Sequence, residues 1–434
     1  MIAIPRPRWS GPLAERDVTV LLWLAAFLVT ARIPMGFVAL LVLPAVVVLV
    51  HGLSRSARLP HRLLRLLQVC GITALFGVLT TNPALLAGTG NNLIIIVAIA
   101  LVAAAIFRGH LRERAARRLF DGIYAGLLFS WGLSIFEAVT GFKFLPLLYP
   151  TGNTAVAIKA NRFFVAALFP NFNDYSVAMA LLFICVLARM VFQPRVSQLA
   201  TLGRWSILAT TTFFIAYMGS RGALGGVVLA ALIIALLSVR IVRPGAISFR
   251  MIFAAGALGV IGLAALAMSP WVQDNSTATR GIIFRKVREM LADNPMRALI
   301  GWGSNTEYQR AARAVYGNTL MDPHNMLLEF VVWFGIPGLL VYLACWWFVT
   351  RRGVLRQRSN PGWRVVAASV VTMVYPLLGL VTSSTLRYHQ VWLWLIVAFA
   401  GLTGSARGLG AAPATRASAD QASLAAEADQ AVHQ

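Results

Sequence analysis

Charge is scarce in this chain: only 12% of its 434 residues are Asp, Glu, Lys or Arg, and 59% are hydrophobic, with mean hydropathy +0.74. A soluble domain carries roughly 25% charged and 45–50% apolar residues, so a soluble globular protein is excluded and a polytopic membrane protein is indicated. Acids are scarcer still, 15 against 38 Lys and Arg, for a net charge of +23. Nucleic-acid binding would need that charge clustered on a soluble domain, and the chain has none. Cysteine is nearly absent: Cys70, Cys185 and Cys345 all fall in apolar runs. That excludes a disulfide framework or Cys metal site. There is no Asp-x-Asp, no paired carboxylate and no His/Cys cluster, so a divalent metal has no evident seat. No P-loop and no glycine-rich dinucleotide motif occurs, which argues against an ATP-driven pump. No cofactor is expected.

What is present is a series of apolar runs of 17–25 residues, the length that spans a bilayer. About twelve are expected, near 17–32, 34–50, 63–80, 91–107, 119–140, 170–190, 204–219, 222–239, 250–268, 325–349, 364–382 and 388–405. The first, Val18 to Ala31, lacks a small-residue cleavage site and reads as a retained span. The expected fold class is therefore an all-α polytopic membrane protein. Residues 1–268 would hold nine spans, 269–323 a helical loop domain, 324–405 three further spans and 406–434 a polar, disordered tail.

Arginines load alternate short loops: Arg55, Arg58, Arg62 and Arg65; Arg108, Arg112, Arg114, Arg117 and Arg118; Arg189, Arg195 and Arg204; Arg240, Arg243 and Arg250; Arg351, Arg352, Arg356 and Arg358. The positive-inside rule makes these loops and both termini cytoplasmic. Two longer loops, 141–170 and 269–323, would then lie on the opposite face. In the second, Ile282 to Leu291 alternates apolar and charged residues at helical spacing, as expected of a helix on the membrane surface or capping the bundle.

Candidate chemistry collects on that opposite face. Met321-Asp322-Pro323-His324-Asn325-Met326-Leu327-Leu328-Glu329 is a polar cluster with one histidine at the start of a span. Titratable groups at such depths are costly and are usually kept for substrate handling or proton transfer; a histidine here can also simply sit among headgroups. Gly219-Ser220-Arg221-Gly222 separates two spans by almost nothing, so Arg221 lies at the membrane boundary. There it either snorkels or, with the neighbouring amides, holds a phosphate. Arg280 opens the amphipathic helix. Lys159 and Arg162 precede Phe169-Pro170-Asn171-Phe172-Asn173-Asp174. With metal ligands lacking, the cations for an anionic leaving group would be arginines.

These residues carry a resemblance. Ser220-Arg221-Gly222, then Arg280 with Phe284, Asn294-Pro295 and Gly301-Trp302-Gly303, then Pro323-His324-Asn325-x-x-Leu328-Glu329 with Gly335-Ile336-Pro337-Gly338 resemble, in order and spacing, the motif blocks of the O-antigen ligase (WaaL) and O-antigen polymerase (Wzy) superfamily. The resemblance runs from about Arg162 to Gly338. Phe284 stands where the family commonly has Trp and reads as a packing substitution. The resemblance implies a glycosyltransferase of the bacterial inner membrane with a periplasmic active site. It would move glycan from undecaprenyl pyrophosphate to an acceptor, lipid A–core if the chain is a ligase. A polymerase or O-oligosaccharyltransferase with the same donor is the near alternative. A lipid-linked glycan transporter is the remote one, lacking the midplane charges and paired repeats such proteins use. The implied catalytic residues are His324, Arg221 and Arg280, with Arg162, Lys159, Ser220, Asn325 and Asp322 binding substrate.

Overall fold

The computed structural model describes residues 12–32, 59–80, 86–107, 112–144, 162–169, 171–193, 196–242, 251, 275–317, 323–356, 362–380, 386 and 390–403, and every regular element among them is helical. The helices are α1 (Pro12–Ala31), α2 (His61–Thr80), α3 (Leu86–Ile106), α4 (Arg112–Thr140), α5 (Phe172–Phe192), α6 (Gln198–Tyr217), α7 (Arg221–Val242), α8 (Asn275–Asp293), α9 (Pro295–Ile300), α10 (Asn305–Tyr316), α11 (Met326–Val349), α12 (Trp363–Leu378) and α13 (Gln390–Thr403). Ten of the twelve expected spans coincide with one of these helices; those near 34–50 and 250–268 lie outside the described residues. Among the described residues 6 helices are long and apolar enough to cross a membrane, and α1, α3, α12 and α13 contain shorter apolar stretches.

The core follows from which helices are apolar all round. α5, α12 and α13 bury most of their residues, including the small Ala178, Ala180, Ala188, Ala367, Ala368, Ala398 and Ala400. Without a hydrophobic force between helices in lipid, such residues let backbones pack closely. α12 lies against α5, α7, α11 and α13, and α13 reaches α4. α1 joins through Gly122 and Gly126, one turn apart on α4: a Cβ there would sit 2.3 Å from the Trp23 carbonyl oxygen and 2.7 Å from that of Phe27.

The two ends of the bundle differ. One gathers arginines of the loaded loops. Arg204 donates to the Gln193 carbonyl at 2.9 Å, Arg240 bonds the Leu355 carbonyl, Arg364 pairs with Asp121 at 2.9 Å, and Arg189 lies 5.3 Å from the Trp363 ring centre. The other end carries α8, α9 and α10, held against α3 and α11.

That attachment explains two glycine motifs. α11 breaks at Gly335 (φ 71, ψ 177), two residues before Pro337. In an unbroken helix the Trp333 carbonyl would receive the amide of residue 337, but proline has none. The amides of Trp302 and Gly303 supply the missing bonds, donating to the Val332 and Trp333 carbonyls at 2.7 and 2.9 Å. Asn92 of α3 closes the join by donating to the Gly303 carbonyl at 2.7 Å. Gly301-Trp302-Gly303 and Gly335-Ile336-Pro337-Gly338 are thus two halves of one backbone splice.

Candidate functional site

The sequence candidates that are described all stand at the end carrying α8–α10. Arg221 is the first residue of α7, exposed, after a turn in which Gly219 has φ +67. The first amides of a helix lack intrahelical partners and present positive potential. Beside them the Ser220 Oγ is buried, 3% exposed, without a hydrogen-bond partner among the described residues.

Arg162 reaches the same corner through a buried carboxylate. Glu137, 1% exposed near the end of α4, accepts from the amides of Phe144, Ala166 and Ala167 at 3.0, 2.9 and 3.1 Å. Lys143 donates to the carbonyls of Arg162 and Phe164, both at 2.9 Å. Burial lowers the pKa of the Lys143 ammonium, and nearby Glu137 acts in the opposite sense. The loop so fixed sets the Phe163 and Phe164 rings 5.6 and 5.4 Å from Tyr217, one turn before Arg221. The Arg162 guanidinium lies 5.4 Å from the Phe163 ring centre.

Arg280, on α8, donates to the Leu380 carbonyl at 3.2 Å. Leu380 follows the end of α12, whose Leu378 side chain packs on Gly226 of α7. Gly226 is five residues beyond Arg221, about 7.5 Å of helical rise. The last turn of α12 therefore links the neighbourhoods of both arginines.

His324 is half-buried and has φ 50. A non-glycine residue in that region costs of order 1–3 kcal/mol and persists where its surroundings over-determine it, often at active sites. Asn325 follows as N-cap of α11, its side-chain oxygen accepting from Leu327 and Leu328 at 3.0 and 3.2 Å; its NH2 faces no such demand from the cap. Glu329, fully buried, accepts from the Leu386 amide at 2.9 Å. Asp322 and Lys159 lie outside the described residues.

Two features were not legible beforehand. Arg32, just after α1, and the buried Asp174 of α5 and Glu329 of α11 all lie within electrostatic range of Tyr375 of α12. A lone acid in an apolar run, as at Glu137 or Asp174, is the signal that was available. Phe284, expected to pack, is 52% exposed. It stands one turn from Arg280 on the same flank of α8, while Ile283, Val287 and Met290 make the buried face. Among the described residues no three His, Cys, Asp or Glu side chains stand together as metal ligands.

Residues 206–343 match a family model described as O-antigen ligase. The match supports the likeness of this part of the chain to the O-antigen ligase and polymerase superfamily. It includes Ser220, Arg221, Arg280, His324 and Asn325 and excludes Lys159 and Arg162. No curated protein and no solved structure matches the chain. The superfamily consists of glycosyltransferase-like membrane enzymes, which implies lipid-linked polysaccharide substrates.

Proposed function

We propose that the protein is an O-antigen ligase, transferring O-antigen polysaccharide from undecaprenyl pyrophosphate to lipid A–core on the periplasmic face of the inner membrane. The observation that carries the reading is the family match across the segment holding Ser220-Arg221, Arg280 and His324. Under the positive-inside rule the end with the loaded loops and both termini is cytoplasmic, and the opposite end periplasmic.

The acceptor is a sugar hydroxyl, a weak nucleophile until its proton is removed. His324 is the general base: an imidazole with an unperturbed pKa near 6.5 takes that proton as the oxygen attacks the anomeric carbon. The bond from that carbon to the pyrophosphate oxygen breaks, and its electrons leave with undecaprenyl pyrophosphate. Arg221 and Arg280, with Arg162, hold the pyrophosphate and neutralise the charge developing on it. Ser220, Asn325, Lys159 and Asp322 contact substrate. Attack opposite the leaving group inverts the anomeric carbon without a glycosyl–enzyme intermediate. No metal takes part.

The test is transfer by purified protein from lipid-linked glycan to lipid A–core, with EDTA and without nucleotide. Wild type is expected to turn over, and His324→Ala and His324→Gln to lose about 100- to 10,000-fold in rate with donor binding intact. Normal ligation by either variant, a product that retains the anomeric configuration, or activity abolished by EDTA and restored by magnesium would overturn the mechanism. Glycan lengthening on the lipid carrier, in place of ligation, would identify a polymerase.

A further inference from the structure

At the arginine-rich end, away from the candidate active site, a groove of about 430 Å³ opens between α2, α11 and α13, lined by His61, Arg62, Arg65, Phe348 and Phe399 among others. Phe399 is buried and stacks on Phe348 with ring centres 4.9 Å apart. Two guanidinium groups converge on Phe348: Arg62 at 5.1 Å from its centre and Arg352 at 5.4 Å. Arg352 lies in the six-residue π-helical segment Thr350–Leu355 that extends α11, a rare geometry found often at functional places. Each cation gains from the ring face, but gathering like charges raises the local potential. Among the described residues Arg62, Arg65 and Arg352 have no carboxylate partner. The first turn of α2, which opens here, carries no acid either. The site is built for an anion.

We propose that this groove binds an anionic phospholipid of the surrounding leaflet, its phosphate held by Arg62, Arg65 and Arg352. A lipid is favoured over a soluble phosphate by what continues from the cations. Arg65, Gln68, Ile72, Leu75 and Leu79 are exposed at helical spacing, forming a single stripe up α2. Ile72 is 69% and Leu79 74% exposed. An acyl chain lying on that stripe has its headgroup at Arg65, one turn from Arg62. Basic pockets between helices at this face of a membrane are the usual seats of anionic headgroups.

The experiment is native mass spectrometry of the full-length protein in detergent, titrated separately with phosphatidylglycerol, phosphatidylethanolamine and inorganic phosphate. Phosphatidylglycerol is expected to be retained in preference to phosphatidylethanolamine, and inorganic phosphate not to compete at equal concentration. Affinity should fall about five-fold for each arginine removed and about thirty-fold in Arg62→Ala/Arg352→Ala. Arg65→Glu, at an exposed position, should weaken binding at least as much as one alanine. Unchanged retention in both variants, equal retention of the two lipids, or displacement by inorganic phosphate would overturn the assignment. None of these readouts depends on glycosyl transfer.

Discussion

The Gly303 amide donates to the Trp333 carbonyl at 2.9 Å, in the place that Pro337, having no N–H, leaves open in α11. A loop thereby completes the hydrogen bonding of a broken helix, and the helix fixes where the loop can lie. Buried backbone groups left unpaired are costly, so each half completes the hydrogen bonding of the other.

Gly335→Ala tests this join. Its φ is +71, and an added Cβ would sit 2.0 Å from the Leu299 carbonyl oxygen. The strain alone costs of order 1–3 kcal/mol, and the contact forces α9 away. A clear drop in melting temperature of the purified protein is expected, with Pro337→Ala milder because it restores a donor. Equal melting of Gly335→Ala and wild type would refute the splice.

The two outer arginines should separate in kinetics from this structural set. Arg221→Ala and Arg280→Ala are each expected to lower turnover on the order of 100- to 1000-fold, the usual effect of losing one preorganised contact to developing charge. Melting should be unaltered in Arg221→Ala, since that side chain is exposed. Arg221→Lys keeps the charge but loses the planar fork, so it should be impaired too. Near-normal turnover of folded Arg221→Ala would remove it from the donor site.

Exposure on α8 makes Phe284 a surface residue rather than a core one. Phe284→Ala should change stability by less than about 0.5 kcal/mol, as surface substitutions do. Ile283→Ala, one residue earlier and 2% exposed, should cost about 2–5 kcal/mol. Chemical denaturation of the two variants side by side gives the comparison; a larger loss at Phe284 would mean that it packs.

Much of the architecture was readable because membrane helices announce themselves locally: a run such as Phe172 to Phe192 is apolar long enough to span, and its caps are adjacent in sequence. The same holds for Ser220-Arg221 and His324-Asn325, short motifs placed at helix starts. What escaped reading depends on partners far along the chain. Gly301-Trp302-Gly303 reads by sequence only as part of a family motif block, yet the amides of Trp302 and Gly303 complete the α11 backbone. Glu137 is a lone acid in an apolar run by sequence, yet its carboxylate holds the loop that follows Arg162. Arg32, Asp174 and Glu329 come within electrostatic range of Tyr375 only when elements far apart in the chain pack together, and no local spacing encodes that. Phe284 is apolar by type, and only its angle on α8 reveals that it faces outward.

The connection after α12 is held through its main chain at both ends, the Leu380 carbonyl by Arg280 and the Leu386 amide by Glu329. Neither grip reads a side chain, so replacing Leu380 or Leu386 leaves both hydrogen-bonding groups in existence. Length is what the two grips measure: five residues lie between them. Selection on this segment would therefore act on insertions and deletions more than on substitutions. A variable stretch of invariant length beside Arg280 is the pattern such a caliper leaves behind.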